Sequence, residues 1–214
     1  IQTISIFKGS SSGPAIDQVW TLTGAGYWGS ELVIVDIDND GNKDLLVGAY
    51  GVGKIYIYHG TGTGGLSSSA YAPASLTSGY LTWGLTIDPC DLSGDNYPDL
   101  IVAGRNTNNN PNLATGQGEV WIISNLDGVN FQTPYKLYGA GASALYGYDT
   151  RCGDFNGDGK NDVAILAQGT KVITIHYGTG DIATFPTTPN ITLNVVDTCR
   201  SVSVGDVNND GFDD

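Results

Sequence analysis

The sequence has 214 residues, of which 40% are hydrophobic and 14% are charged, a composition that excludes a disordered chain and allows one large domain or two small ones. It contains no apolar run approaching the length of about 18 residues that a transmembrane helix requires. Its 22 acidic and 9 basic residues give a net charge of −13, which argues against a nucleic-acid partner.

Short apolar segments, separated by turns rich in glycine and asparagine, predict β-strands along the whole chain, and no helix is predicted. The first and second strands of each unit are nearly continuous in apolar residues, which indicates burial on both faces. We interpret 1–7 and 19–22 as the third and fourth strands of an opening unit. In later units we expect first strands such as 32–35 and 201–204, second strands at 45–47, 100–102 and 163–166, third strands at 54–58, 119–123 and 171–175, and a less regular fourth strand such as 135–138.

One acidic pattern occurs four times in the chain. Each copy has aspartate at positions 1, 5 and 9 and an oxygen-bearing side chain at position 3; the copies are 36–44, 91–99, 154–162 and 206–214. An aromatic residue followed by glycine stands at a constant distance before the first three copies, at Trp28 and Gly29, Trp83 and Gly84, and Tyr146 and Gly147. In the fourth unit Cys199 takes the place of that glycine. A register kept over three units identifies an internal repeat.

Four-stranded units that repeat at the spacing of the acidic copies, each with a sheet buried on both sides, predict an all-β fold built as a β-propeller. The predicted division is the second half of a blade at 1–29, three blades at 30–83, 84–146 and 147–198, and the start of a further blade at 199–214. Because the sequence opens and closes within a blade, we expect a fragment of a longer propeller. The alternative is that the two partial ends meet and close a small ring.

The acidic segments are predicted to be calcium loops. Calcium takes about 6–8 oxygen ligands in flexible geometry, and alternating positions of a tight loop turn several carboxylates inward. Glycine at position 6, or Asn96 in the second loop, permits the positive φ of a sharp turn. The candidate ligands are the side chains at positions 1, 3, 5 and 9 and the main-chain carbonyl at position 7: Asp36, Asp38, Asp40, Asn42 and Asp44; Asp91, Ser93, Asp95, Tyr97 and Asp99; Asp154, Asn156, Asp158, Lys160 and Asp162; and Asp206, Asn208, Asp210, Phe212 and Asp214.

Other interpretations of these loops fit less well. An EF-hand needs a glutamate at position 12 and flanking helices, whereas position 12 here is Val47, Val102 or Ile165, inside predicted strands. Magnesium demands a stricter octahedron, and zinc prefers histidine or cysteine ligands. The remaining alternative is a set of turns that bind no metal. Repetition argues against it, because so many carboxylates would repel one another without a cation.

The three cysteines, Cys90, Cys152 and Cys199, match neither a disulfide miniprotein nor a cysteine-based metal site, and small buried residues are the simplest interpretation. The alternative for two of them is a disulfide between Cys90 and Cys152, on the condition that their strands are neighbours. Asn190 begins a glycosylation sequon, a motif short enough to arise by chance.

Together these motifs resemble the FG-GAP repeats of the integrin α-subunit propeller. Trp28 and Gly29 stand for the Phe-Gly pair, and Gly48, Ala49 and Tyr50 stand for Gly-Ala-Pro, with tyrosine replacing proline. Later units keep the second motif loosely, at 103–105 and 166–168. The resemblance implies a seven-bladed propeller, an extracellular location and calcium in the loop that joins the first two strands of a blade.

We expect a non-catalytic module for adhesion or recognition, secreted or on the cell surface. Its partner would be a protein or glycan on a propeller face, contacted through 106–118 and 138–148, or sister subunits. Neither a nucleic-acid partner nor a membrane-embedded segment is expected. The alternatives are the propeller portion of a secreted carbohydrate- or lipid-active enzyme, and a structural subunit of an extracellular filament or coat. The only histidines, His59 and His176, fall at matching places near the ends of third strands, which favours structural roles.

Overall fold

The computed structural model describes residues 2–8, 11, 13, 15–62, 65–78, 82–106 and 110–214. Within them the chain forms β-strands and two single-turn 3₁₀ helices, at Ala74–Leu76 and Ile182–Thr184, so the all-β prediction is confirmed. The strands are β1 (Gln2–Lys8), β2 (Ala15–Gly24), β3 (Trp28–Val35), β4 (Asp44–Ala49), β5 (Lys54–Tyr58), β6 (Gly60–Thr61), β7 (Gly65–Leu66), β8 (Trp83–Cys90), β9 (Asp99–Gly104), β10 (Glu119–Ile123), β11 (Tyr135–Tyr138), β12 (Tyr146–Gly153), β13 (Asp162–Ala167), β14 (Val172–His176) and β15 (Ile191–Asn194). Ile1, where the first predicted strand begins, lies outside the described residues. Neither of the described helices has the length and apolarity needed to cross a bilayer.

The strands pair into antiparallel sheets of the kind that make up propeller blades. Strands β8–β11 form one four-stranded sheet in chain order, and β12–β15 form another. Strands β3, β4 and β5 form a three-stranded sheet, beside which Lys54 bridges to Thr77 and Ile57 bridges to Tyr71. The β1–β2 and β6–β7 pairs are hairpins. The architecture is a partial propeller and not a closed ring.

The second strands of the three larger sheets are buried on both faces. Every residue of β4, β9 and β13 is buried. In β9, Leu100 and Val102 pack against the preceding blade, whereas Ile101 and Ala103 pack against the following one. Successive side chains of a strand point to opposite faces, so an uninterrupted apolar run is what a strand between two blades requires. Burial on both faces is confirmed for these strands.

The same prediction is wrong for the first strand at its opening edge. In β3, Leu32 is 46% exposed and Ile34 is 73% exposed. Among the described residues, Ile4 and Ile6 of β1 pack against the strands of this sheet without covering those two side chains. A continuous apolar run therefore shows that a strand can be buried on both sides, but not that a neighbouring blade covers both.

The aromatic–glycine pairs lie at β-bulges. The strand pairing shifts register directly after Trp28, Trp83 and Tyr146. The glycine that follows each has a φ of 76° to 84°, a conformation that other residues rarely adopt. All three aromatic side chains are buried. The constant distance from each pair to its acidic loop therefore reflects a bulge at one fixed place in each first strand.

The innermost strands of two blades are joined covalently. Cys90 lies at the end of β8 and Cys152 near the end of β12, and the two form a disulfide with a Cα–Cα distance of 6.2 Å. The condition set by the sequence, that their strands be neighbours, is met. Cys199 is a free, partly exposed thiol.

The first strand predicted at 201–204 does not form. In the other units this strand pairs with the one that follows the acidic loop. Gly205 and Asp214 exchange two backbone hydrogen bonds of 3.2 and 3.4 Å, which begin such a pairing without extending it. Without ladder bonds from a partner the segment is not a strand.

Candidate metal centres

The acidic loops lie at one edge of the blades. Three of them join the first strand of a sheet to the second: 36–44 between β3 and β4, 91–99 between β8 and β9, and 154–162 between β12 and β13. The fourth occupies 206–214 and lies against the third, because Asp154 and Asp213 are linked by hydrogen bonds in both directions, of 2.9 and 3.1 Å.

The aspartate at position 1 organises each loop. One carboxylate oxygen accepts from the backbone nitrogen of position 5 and the other from that of position 6, at 2.9 to 3.1 Å in all four loops. Position 6 is left-handed in each, with a φ of 71° at Asn96 and 81° to 91° at the three glycines. The predicted sharp turn is therefore present, including the substitution of asparagine for glycine.

Positions 3 and 5 face the same turn. The aspartate at position 5 accepts from the backbone nitrogen of position 7 at 2.7 to 2.9 Å in every loop. At position 3, Asp38, Asn156 and Asn208 accept from the backbone nitrogen of position 5 at 2.8 to 3.2 Å. Ser93 differs, because its hydroxyl oxygen is buried and finds no hydrogen-bond partner among the residues that the structure describes. A buried polar atom without a partner is costly, and a bound cation would satisfy it.

The aspartate at position 9 does more than the sequence indicated. Asp44, Asp99 and Asp162 are at most 1% exposed. In each, one oxygen accepts from the backbone nitrogen of position 2, at 2.8 to 3.0 Å. The other oxygen accepts from a backbone nitrogen just beyond the third strand, that of Gly60, Asn125 or Gly178, at 2.7 to 2.9 Å. Burial raises the pKa of Asp99 and Asp162. This carboxylate fastens three strands together, a role indicated only by the fact that position 9 never varies among the four loops.

The donor set of the first loop suits a hard divalent cation. Carboxylate oxygens of Asp36, Asp38 and Asp40 lie within 4.8 Å of one another. The internal hydrogen bonds alone would equally suit turns that bind nothing. Three carboxylates at this spacing repel one another unless a cation lies between them, and oxygen atoms are the ligands that calcium prefers. The residues present therefore fit a calcium ion.

The two histidines are not at equivalent positions, which corrects the sequence interpretation. His176 pairs with Val163, the residue after Asp162, whereas in the earlier blade Leu45, the residue after Asp44, pairs with Tyr58. His59 is thus one position further along. Since strand side chains alternate, a shift of one residue places the two rings in different surroundings.

His176 has the structural role that was predicted. It is 1% exposed, with Nε2 at 3.0 Å from the Tyr146 hydroxyl and Nδ1 at 3.0 Å from the carbonyl oxygen of Pro186. Burial lowers the pKa of His176 and raises that of Tyr146 to about 12, so both groups are neutral near pH 7. The ring therefore links β12 and β14 to the segment that follows them.

His59 instead lies beside the first acidic loop. Its Nδ1 is 3.2 Å from Asp38 Oδ2 and 3.6 Å from Asp44 Oδ1. The sequence analysis missed this contact. The sequence already places His59 directly after the third strand and before Gly60. The backbone nitrogen of Gly60 bonds the position 9 aspartate, as the nitrogen of the corresponding residue does in the third blade.

The two segments that the sequence assigns to ligand contact, 106–118 and 138–148, contain both buried and exposed residues. Residues 107–109 of the segment 106–118 lie outside the described residues, and Asn110 is buried. In 138–148, Tyr138 is 49% exposed. The guanidinium of Arg105 lies 4.5 Å from the centre of the Tyr148 ring.

Comparison with known proteins gives both a family match and individual relatives. A family model described as an FG-GAP-like repeat matches residues 36–102 and 154–214. Human phosphatidylinositol-glycan-specific phospholipase D is 37% identical over 86 residues, covering 36% of this chain and 10% of that protein. Human integrin alpha-7 is 34% identical over 73 residues, covering 33% of this chain and 6% of that protein.

Human integrin alpha-8 is similar over a longer stretch, with 29% identity over 195 residues, which cover 79% of this chain and 16% of the integrin subunit. The chain spans about one tenth of the length of the phospholipase relatives that it matches.

Proposed function

This chain belongs to the FG-GAP-like repeat family, and we propose that it is a calcium-stabilised propeller module for adhesion or for recognition of a protein or glycan outside the cell. In this proposal the module has no catalytic activity of its own. We propose the blade boundaries 30–83, 84–146 and 147–198, with the second half of a blade at 1–29 and the start of a further blade at 199–214.

The observation that carries the calcium proposal is the common geometry of the four loops. Each orients its side-chain oxygens with the same hydrogen bonds at positions 1 and 5, and the first places three carboxylates within 4.8 Å. We assign Ca²⁺ to the side-chain oxygens at positions 1, 3, 5 and 9 and to the carbonyl oxygen at position 7. Extracellular modules bind calcium with dissociation constants of about 10⁻⁴ to 10⁻³ M. At about 1 mM free calcium, each site then stabilises the fold by about 0.4–1.4 kcal/mol.

The recognition face would be the edge opposite the acidic loops. Tyr27 precedes β3 and Tyr50 follows β4, so both lie at the strand ends remote from loop 36–44. Their rings stack with centroids 4.6 Å apart, and Tyr27 is 58% exposed. The Arg105–Tyr148 pair belongs to the same edge, after β9 and early in β12. Aromatic and arginine side chains that are at least partly exposed on rigid strand ends supply the contacts that recognition surfaces use.

A second candidate function follows from the phospholipase similarity. Under it, the chain is the propeller portion of a larger secreted enzyme whose active site lies in another part of that protein. The histidine contacts agree with an active site outside this chain. His176 bonds Tyr146 and Pro186, and His59 faces two aspartates.

Two measurements test the proposal. Equilibrium dialysis with ⁴⁵Ca²⁺ should find about four ions per chain with dissociation constants near 10⁻⁴ to 10⁻³ M. A glycan and extracellular-protein array should show calcium-dependent retention that Tyr27→Ala weakens and Leu126→Ala, at the opposite edge, does not. Absence of bound calcium refutes the calcium assignment. Turnover of a retained glycan refutes the non-catalytic assignment and supports the second candidate.

A further inference from the structure

The first acidic loop differs from the others in the residue that follows its third strand. At that place His59 stands in this blade, Ser124 in the next and Tyr177 in the third, as the backbone bonds of the following residues to the position 9 aspartates show. Position 3 differs as well, being aspartate only in the first loop. This blade alone therefore combines a position 3 carboxylate with an imidazole at the end of the third strand.

The backbone fixes the imidazole against the loop. The nitrogen of Gly60 donates to Asp44 Oδ1 at 2.7 Å, which holds His59 directly beside that carboxylate. Asp44 is fixed on its other side by a 2.8 Å bond from the nitrogen of Ile37. One ligand atom from each of Asp38, Asp44 and His59 consequently lies within 4.8 Å of the other two.

The His59 nitrogen is close to these oxygens without bonding them. Among the described residues Nδ1 has no hydrogen-bond partner, and it is shielded from solvent, although Asp38 Oδ2 is only 3.2 Å away. A proton on Nδ1 would have to point at that oxygen to form a hydrogen bond, and the ring is not turned to allow it. A metal ion imposes a different geometry, because two of its ligands face the ion and not each other.

The distances match those between ligands of one transition-metal ion. With zinc–nitrogen and zinc–oxygen distances of about 2.0–2.2 Å, two ligands at a tetrahedral angle are about 3.3 Å apart. The His59 contacts of 3.2 and 3.6 Å lie on either side of this value. Each carboxylate oxygen also has a second lone pair, so the bond from Gly60 leaves Asp44 Oδ1 able to coordinate.

We propose that Asp38, Asp44 and His59 form a second kind of cation site, which takes a transition-metal dication of the Zn²⁺ class through one nitrogen and two oxygen ligands. An imidazole suits such ions, whereas calcium takes oxygen ligands alone. The site deepens the proposed metal-binding function, because Asp38 and Asp44 are shared with the first calcium loop. Zinc and calcium would accordingly compete at this loop and not at the other three.

The test is a calorimetric titration with ZnCl₂ of the metal-free chain carrying Cys199→Ser, which removes the free thiol as a ligand. We expect one Zn²⁺ per chain, and His59→Phe should weaken binding at least about tenfold. His59→Gln serves as a second variant if the first does not fold. The matched control Asp158→Asn alters only the third loop and should leave zinc affinity unchanged. Titration with CoCl₂ should give visible absorption bands that are lost in His59→Phe.

Equal zinc affinity in His59→Phe, or no zinc binding by the parent, overturns the inference and leaves His59 as an ion-pair partner of Asp38. The calcium proposal is judged separately, from the calcium-dependent rise in melting temperature of the same proteins. If zinc binding depends on His59 but calcium has no effect, the zinc site stands and the calcium assignment fails. If calcium stabilises both parent and His59→Phe while zinc does not bind, the calcium assignment stands and the zinc site fails.

Discussion

The side-chain amide of Asn39 donates a 2.8 Å hydrogen bond to the main-chain oxygen of Asn96 and so ties the first acidic loop to the second. A matching bond of 2.8 Å runs from the side-chain amide of Asn161, in the third loop, to the main-chain oxygen of Asp91. The second loop, which has the fewest strong candidate ligands, is thus held from both sides by its neighbours. The loops form one connected edge.

This connection predicts that Asn39→Gly destabilises the chain by about 0.5–1.5 kcal/mol, the net worth of a typical hydrogen bond. Glycine keeps the left-handed backbone that Asn39 adopts, with a φ of 56°. The matched control is Asn209→Gly, at the same loop position with a φ of 60°. Urea unfolding in saturating calcium should show a larger loss for Asn39→Gly, and equal losses would mean that the bond to Asn96 contributes nothing.

Removal of calcium should lower the melting temperature. Four sites of about 0.4–1.4 kcal/mol each sum to a few kcal/mol, which corresponds to a shift of at least about 3 °C in a chain of this size. Differential scanning calorimetry in 1 mM calcium and in excess EDTA measures the shift, with magnesium added to the EDTA sample as a control for ionic strength. Superimposable transitions would contradict the calcium clamp.

The loops should differ in their affinity for calcium. The first offers four carboxylates, whereas the second has Ser93 at position 3 and Asn96 at position 6. Calcium affinity rises with the number of charged ligands, so Asp36→Ala should remove more calcium-dependent stability than Ser93→Ala, by about 1 kcal/mol. The readout is the difference in unfolding free energy with and without calcium for each variant. The reverse order would refute the ranking.

The sequence was sufficient to predict the blades but not the tertiary contacts of individual side chains. Uninterrupted apolar runs predicted β4, β9 and β13, and the spacing of aspartates predicted the turns, because both depend on local pattern. The place of His59 depends on a register difference of one residue at the end of β5, which no periodicity reveals. The exposure of Ile34 depends on which strands cover β3, and the anchoring role of Asp44 on a backbone nitrogen 16 residues away.

Asp88 should make stability depend on pH. Its Oδ2 is buried and has no hydrogen-bond partner in the described part of the chain. Burial raises the pKa of Asp88 to about 6, with Asp149 and Glu31 acting in the same direction and Arg151 and the Cys152 N–H group opposing them. The folded chain therefore keeps a proton that the unfolded chain releases between about pH 4 and pH 6. The contribution of the protonated Asp88 carboxyl to the free energy of unfolding is complete below about pH 4 and is lost as the pH rises through about 6.

Asp88→Asn removes the charge and should stabilise the chain at pH 7.5 by on the order of 1–3 kcal/mol, with little effect near pH 4. The quantity to compare is the difference in unfolding free energy between variant and parent at the two pH values, since both proteins share every other titrating group. A difference that is independent of pH would show that Asp88 titrates normally.

The disulfide between Cys90 and Cys152 should stabilise the chain more than any single loop. It joins residues separated by 62 positions and so restricts the unfolded chain strongly, which corresponds to about 4 kcal/mol in the chain-entropy treatment. The double variant Cys90→Ser, Cys152→Ser should lose most of that amount, while Cys199→Ser, which removes the free thiol, should lose little. Urea unfolding of all three proteins without reductant measures the effect. Addition of dithiothreitol should bring the parent to the level of the double variant and leave the double variant unchanged. A parent that is insensitive to reductant would contradict the bridge.

The bond joins the innermost strands of two blades, so its constraint acts where the blades meet. Loss of the disulfide should therefore also increase amide exchange in β8 and β12 more than in the outer strands β11 and β15.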